Sequence, residues 1–205
     1  MITTRGRENR TMAWLAFMRE VIRNSKTTGA IAPSSRELAE RIVQMADISG
    51  KKMLVEFGAG DGVFTREILL RKDPDAEFFS LEINPPLAEA CRKSCPGAAI
   101  ITDSAENVRK HLQALGHDRC DAIISGLPWS RFDNDLQDRI LAATCEALAP
   151  GGVFVTFAYV MTPLLPSGKR FLTARLPACF ASVKRLGPVW NNLPPCHVYL
   201  CTKQG

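Results

Sequence analysis

The chain has 205 residues, of which 46% are hydrophobic and 23% charged, with a net charge of +5. That length suits one domain with a sizeable core and is short for two. The balance is globular rather than disordered, and no apolar run is long enough to span a bilayer.

The charge is uneven. Residues 1–26 carry six arginines and lysines against two glutamates, four of the five net positive charges. A basic end favours an anionic partner, either a phospholipid surface or nucleic acid. The first ten residues are polar, and the apolar stretch behind them is broken by Arg19, Glu20 and Arg23, so no signal peptide is expected. Within residues 12–24, Trp14, Leu15, Met18, Val21 and Ile22 share one helical face. Such a face flanked by arginines fits a helix lying in a membrane interface, and equally a helix packed on the domain. Residues 26–35 are small and polar, a loop that is either a connector or a flap over a ligand. Ser34 or Ser35 then caps a helix from Arg36 to Met45, with Leu38, Ile42 and Met45 inward. The expected division is an N-terminal segment, 1–48, and a main domain, 49–205.

Met53 to Phe57 is an apolar strand. It runs into Gly58-Ala59-Gly60-Asp61-Gly62, after which Phe64, Ile68 and Leu69 recur at helical spacing. Strand, glycine loop and helix start let a backbone lie close against a ligand and aim unpaired N–H groups at it. Dinucleotide enzymes use Gly-x-Gly-x-x-Gly at such a place. Here Glu56 and Asp61 flank the glycines, which would repel a pyrophosphate and suit a ligand with a cationic end. Residues 77–83 form a second strand ending in Glu82 and Ile83. A carboxylate there accepts hydrogen bonds from ribose hydroxyls in nucleotide-binding α/β folds. Asn84-Pro85-Pro86 opens a helix. A third strand, 98–101, leads to Asp103, Ser104 and Ala105, where Asp103 is also a candidate helix cap.

The fourth strand, 120–124, runs into Ser125-Gly126-Leu127-Pro128-Trp129. A helix over 135–148, a turn at Ala149–Gly152 and a fifth strand to Tyr159 follow. Two last strands, near 179–187 and 196–202, have no helix between them and predict an antiparallel edge hairpin. The seven cysteines are scattered, and Cys91 and Cys95 lack the partners of a zinc set, so no metal is expected. Their odd number points to a reducing cytoplasm.

The stretch from Glu56 to Gly62 resembles the first motif of class I S-adenosylmethionine-dependent methyltransferases. That resemblance implies an α/β, Rossmann-like seven-stranded sheet, mostly parallel, with helices on both faces and an antiparallel C-terminal hairpin. It implies S-adenosyl-L-methionine as cofactor, held by Glu56, Gly58, Gly60, Asp61, Gly62, Glu82, Ile83, Asp103, Ser104 and Ala105. Asp103 would face the adenine amino group.

Ribosomal RNA adenine dimethyltransferases carry Asn-Leu-Pro-Tyr after the fourth strand. Here Leu127-Pro128-Trp129 matches, but Gly126 stands where the asparagine would be, which counts against base methylation. Residues 26–35, 125–128 and 190–195 with Val198-Tyr199 together resemble bacterial phospholipid N-methyltransferases, peripheral enzymes that methylate phosphatidylethanolamine stepwise toward phosphatidylcholine. The resemblance implies in-line attack of a neutral amine on the sulfonium methyl. Carbonyls at Ser125 and Gly126 would orient the amine, with room for the headgroup beside Trp129. Tyr159 would take the proton or face the growing cation with its ring. Leu127, Pro128, Trp129 and Arg131 would line the substrate, and Arg131, Lys169 and Arg170 would hold a lipid phosphate. His197 is a second titrating candidate, although mid-strand. The implied setting is the inner face of the cytoplasmic membrane, held through residues 1–26. Adenine methylation of RNA or DNA, or methylation of another amino lipid, is the alternative, and a cofactor-binding scaffold a third.

Overall fold

The computed structural model describes residues 34–205, and the basic amphipathic stretch over 1–26 with most of the loop behind it lies outside them. Helix α1 (Arg36–Ala46) opens at Ser35, whose Oγ accepts the Leu38 N–H at 3.2 Å, and closes at Asp47 in the left-handed region. Its buried stripe of Leu38, Ala39, Ile42, Val43 and Ala46 packs with Leu54, Phe64, Ile68, Val155 and Val198. Although grouped with the leading segment in the sequence reading, α1 is therefore part of the core of the unit spanning residues 34–205.

The elements that follow are β1 (Met53–Phe57), α2 (Val63–Arg71), β2 (Glu77–Leu81), α3 (Pro85–Ser94), β3 (Ala99–Ile101), α4 (Val108–Ala114), β4 (Cys120–Ser125), α5 (Asn134–Ala147) and β5 (Leu148–Tyr159). The chain ends with α6 (Pro166–Arg170), α7 (Leu176–Cys179), β6 (Ser182–Val189) and β7 (Cys196–Thr202). The seven strands form one sheet in the order β3-β2-β1-β4-β5-β7-β6. β1 to β5 pair in parallel, while β7 runs antiparallel between β5 and β6. This is the sheet the resemblance implies. β1 is buried along its whole length, as a parallel strand covered on both faces should be. The strand order reverses between β1 and β4, and open α/β sheets bind ligands in the crevice at that reversal.

Two expectations change. The turn at Ala149–Gly152 lies inside β5, because the ladder with β4 steps from Cys120–Leu148 to Ala122–Val153 and absorbs the extra residues. The last hairpin starts at Ser182 rather than 179. Residues 162–179 are a helical run broken at Leu165, with a π-helical turn at Phe171–Arg175, and it carries Pro163, Pro166 and Pro177.

Candidate active site

The glycine loop joins β1 to α2. Gly58 sits at φ +81° and its N–H donates to the Leu81 carbonyl at 2.8 Å. Gly62, at φ +86°, has no room for a side chain, since a Cβ would lie 2.9 Å from the side chains of Ser94 and Cys95. The Gly60 N–H donates to Glu82 Oε2 at 3.0 Å, and the Asn84 N–H donates to Oε1 at 2.8 Å. Glu82 thus ties the loop after β1 to the end of β2. Burial raises its pKa, opposed by these backbone donors. Ile83, half-buried, follows it.

Glu56 is fully buried on β1. Its Oε2 accepts the Thr65 hydroxyl at 2.6 Å, whereas Oε1 has no hydrogen-bond partner among the described residues. Burial pushes the carboxyl up to about 7, against the hydroxyls of Thr65 and of Ser80, its neighbour on β2, and with help from the nearby charges of Glu82 and Asp61. A buried carboxylate with one idle oxygen is costly unless a donor or cation completes it. Such a site fits the amino group of an amino-acid-like ligand. Asp61 is exposed, and its Oδ1 accepts the Val63 N–H at 3.3 Å, closing the first turn of α2. Thr65 escaped the sequence reading. Its signal was a hydroxyl residue on the buried face of α2, between Phe64 and Ile68.

Asp103 is bound up locally. Its carboxylate accepts from the Ser104 N–H and the Asn107 amide, both at 2.7 Å, and meets His111 Nε2 at 2.8 Å. Desolvation opposes ionisation, but these bonds win and hold the carboxyl below its usual range. Ser104 Oγ caps the turn Ala105–Asn107, and Ala105 is buried. Asp103 Oδ1 takes both the Ser104 and Asn107 donors, and Oδ2, which meets His111, also has the Lys110 ammonium at 3.7 Å.

The loop after β4 departs further from expectation. Trp129, expected to line the substrate, is only 3% exposed. Its indole N–H lies 3.2 Å from Ser125 Oγ and 3.1 Å from Thr156 Oγ1, and its ring stacks on Phe171 with centroids 4.5 Å apart. Polar satisfaction and aromatic packing thus place it in the core. Ser125 is equally enclosed: its hydroxyl accepts the Leu127 N–H at 3.3 Å, and its carbonyl accepts the Thr156 hydroxyl at 3.2 Å. Gly126 does not open a space beside Trp129. A Cβ there would lie 3.0 Å from the Gly58 carbonyl oxygen and 3.2 Å from the Phe64 ring. Leu127 packs against Gly58 on the other side. Pro128 is half-buried and Arg131 exposed. Trp129→Phe should cost about 2 kcal/mol, since it strips a shared donor from two buried hydroxyls. Urea unfolding midpoints read this loss directly. An unchanged midpoint would mean that the indole N–H contributes nothing.

Tyr159 ends β5 half-buried, edge-on to Phe157 at 5.7 Å, and Phe157 is edge-on to Phe64 at 6.0 Å. Burial pushes its phenol up, the neighbouring Cys196 adds to this, and the Arg131 charge opposes. A phenol raised in this way stays neutral near pH 7 and is a poor base. His197 pairs with Ala158 across the β5–β7 ladder, and its Nδ1 is buried without a partner among the described residues. Lys169 and Arg170 are exposed on α6, which is fixed to the β4 loop by Ser167 Oγ donating to the Ser130 carbonyl at 2.7 Å. Among the described residues no group of His, Cys, Asp and Glu is arranged to hold a metal, and no helix is long and apolar enough to cross a membrane.

No protein-family model matches the chain. It is 27% identical over 188 residues to an ornithine lipid N-methyltransferase of Singulisphaera acidiphila, covering 90% of this chain and 93% of that protein. Among solved structures it is similar to an O-methyltransferase from Bacillus cereus in complex with S-adenosylhomocysteine, at TM-score 0.66 and 14% identity, covering 92% and 91% of the two chains. It is also similar to an S-adenosylmethionine-dependent methyltransferase from Archaeoglobus fulgidus, at TM-score 0.62 and 14% identity, covering 90% and 99%.

Proposed function

We propose that this chain, which has the fold of class I S-adenosylmethionine-dependent methyltransferases, methylates the amino headgroup of a membrane lipid, phosphatidylethanolamine and its methylated derivatives first among them. The observation that carries the donor half is the idle, buried oxygen of Glu56 at the end of β1. The acceptor half is supported by end-to-end similarity to a lipid N-methyltransferase. Fold likeness alone does not choose among acceptors. Since that relative acts on ornithine lipid, another amino lipid is the second reading.

When bound, S-adenosylmethionine supplies a methyl group on a sulfonium centre. Glu56 accepts its ammonium, held in register by Thr65. Glu82 keeps the loop and β2 together and turns its remaining lone pairs to the ribose. Ile83, Asp103, Ser104 and Ala105 border the adenine, and Gly58, Gly60, Asp61 and Gly62 shape the backbone around the amino-acid end. On the acceptor side, the Gly126 carbonyl orients the amine, and Leu127 and Pro128 space the acceptor loop from the donor loop. The Ser125 carbonyl, already engaged with Thr156, braces that loop. The Tyr159 ring faces the charge that develops on nitrogen. Proximity and orientation supply much of the acceleration. Arg131, Lys169 and Arg170 meet the lipid phosphate, and residues 1–26 add a basic segment for the anionic inner face of the membrane.

The test supplies full-length protein with methyl-labelled donor, vesicles of phosphatidylethanolamine, vesicles containing ornithine lipid, and RNA. Label should enter the lipid of the first. Label in ornithine lipid alone would keep the class and change the headgroup. Label in RNA with inert vesicles would overturn the reading in favour of adenine methylation.

A further inference from the structure

Three connections leave one edge of the sheet. β4 ends with Ser125 opposite Thr156, and β5 ends with Tyr159 opposite Cys196, the first residue of β7. Cys196 in turn pairs with Val189, the last residue of β6. The segments 126–131, 160–165 and 190–195 therefore form a continuous rim beside the proposed acceptor loop. The Val160 N–H donates to the Pro195 carbonyl at 2.9 Å and ties two of them together.

This rim is apolar where solvent would be expected. Six of the nine large hydrophobic side chains exposed among the described residues lie on it: Val160, Met161, Leu164, Leu165, Trp190 and Leu193. Leu164 and Leu193 are 76% and 75% exposed. Isolated exposed leucines need no explanation, but a contiguous set marks a contact surface. The C-terminal part of the chain that carries most of it has one sign of charge, although Glu37 on α1 accepts from the Asn191 amide at the rim. Residues 147–205 contain no aspartate or glutamate and six lysines and arginines, two of which, Lys169 and Arg170, are exposed next to the apolar run. Leucine, methionine and tryptophan framed by cations match an anionic lipid surface. Trp190 suits the headgroup level, leucines the acyl boundary, and lysine and arginine the phosphates.

We propose that the 160–165 and 190–193 rim is a membrane-contacting surface, distinct from residues 1–26, that enters the headgroup region of an anionic bilayer. On the reading of the previous section, it lets an amino lipid reach Gly126 with its chains still in the bilayer.

The experiment uses the full chain, vesicles of phosphatidylethanolamine with phosphatidylglycerol, and the double substitution Leu164→Asp with Leu193→Asp. Both positions are exposed, so the fold and donor affinity should be retained, which thermal melting and calorimetry check. Each buried leucine is worth about tenfold in partitioning, so vesicle binding should fall about 100-fold for the pair. Methyl transfer to a short-chain, water-soluble amino lipid should stay within about twofold of the parent, since on this proposal the rim serves delivery rather than chemistry. Binding equal to the parent's would overturn the proposal, as would a parent that binds no vesicles. Faster trypsin cleavage within residues 1–33 of the variant, in the absence of vesicles, would also overturn it, assigning the rim to the chain's own leading segment. Vesicle binding that depends on the rim, with no lipid methylated, would leave this surface standing and remove the functional reading instead.

Discussion

Replacing Glu56 by glutamine should weaken S-adenosylmethionine binding about 10- to 100-fold, the loss of one charge-assisted contact. It should also change how the stability of the ligand-free protein varies with pH. Glu56 titrates near 7 in the fold against an ordinary 4.5, because it is buried. A carboxyl whose folded value is raised contributes stability that is fully present below 4.5 and is lost as pH rises through about 7. At about 1.36 kcal/mol per unit, the loss is roughly 3 kcal/mol. Glutamine carries no such titration. The stability of the variant relative to the parent should therefore climb between pH 4.5 and 7 and then level off. Donor binding should show the opposite face of the same linkage. A cationic ligand favours the ionised carboxylate, so parental affinity should fall as pH drops below about 7, with proton release on binding. Urea unfolding across this range, with calorimetry in two buffers of different ionisation enthalpy, measures both. Parallel stability profiles for parent and variant would show that Glu56 is ionised in the empty fold.

The sheet was legible because its signals are local. The apolar run of β1, the glycines behind it and the acidic ends of β1 and β2 lie within short windows, and each strand of the parallel half is bounded by turn residues. The acceptor side was read less well for a physical reason. Whether Trp129 meets a substrate or the core depends on Phe171, Thr156 and Ser125 arriving from elsewhere in the chain. Residue type and motif position carry no record of that. Asp103 shows the same limit, because its partners Asn107 and His111 become visible only once the following turn and helix form. The helical run over 162–179 has no clean helical signal in the sequence, since three prolines and Gly168 fall within it. Yet Pro166 falls in the first turn of α6, where a missing N–H costs nothing, and Pro177 lies just past the π-helical turn Phe171–Arg175.

Gly126→Ala should impair donor binding and methyl transfer together rather than acceptor turnover alone. The Gly126 N–H donates to the Phe57 carbonyl at 2.8 Å, which sets how closely the acceptor loop lies on the donor loop. At that separation a methyl group would sit 3.0 Å from the Gly58 carbonyl oxygen and 3.2 Å from the Phe64 ring. Neither can give way cheaply. Gly58 is backbone held by Leu81, and Phe64 is 4% exposed and braced edge-on by Phe157. Overpacking of this kind costs about 1–3 kcal/mol. The strain falls on the loop that carries the donor site. Asparagine, the residue that a base methyltransferase would carry here, meets the same obstacle with more atoms. Its absence thus follows from loop packing as well as from acceptor chemistry. Phe64→Leu should partly relieve the alanine variant, giving a double-mutant coupling within the range of about 0.5–3 kcal/mol seen for side chains in contact. A Gly126→Ala protein that binds S-adenosylmethionine as tightly as the parent, unfolds at the same urea concentration and fails only with the lipid acceptor would place the glycine's space in the acceptor pocket instead.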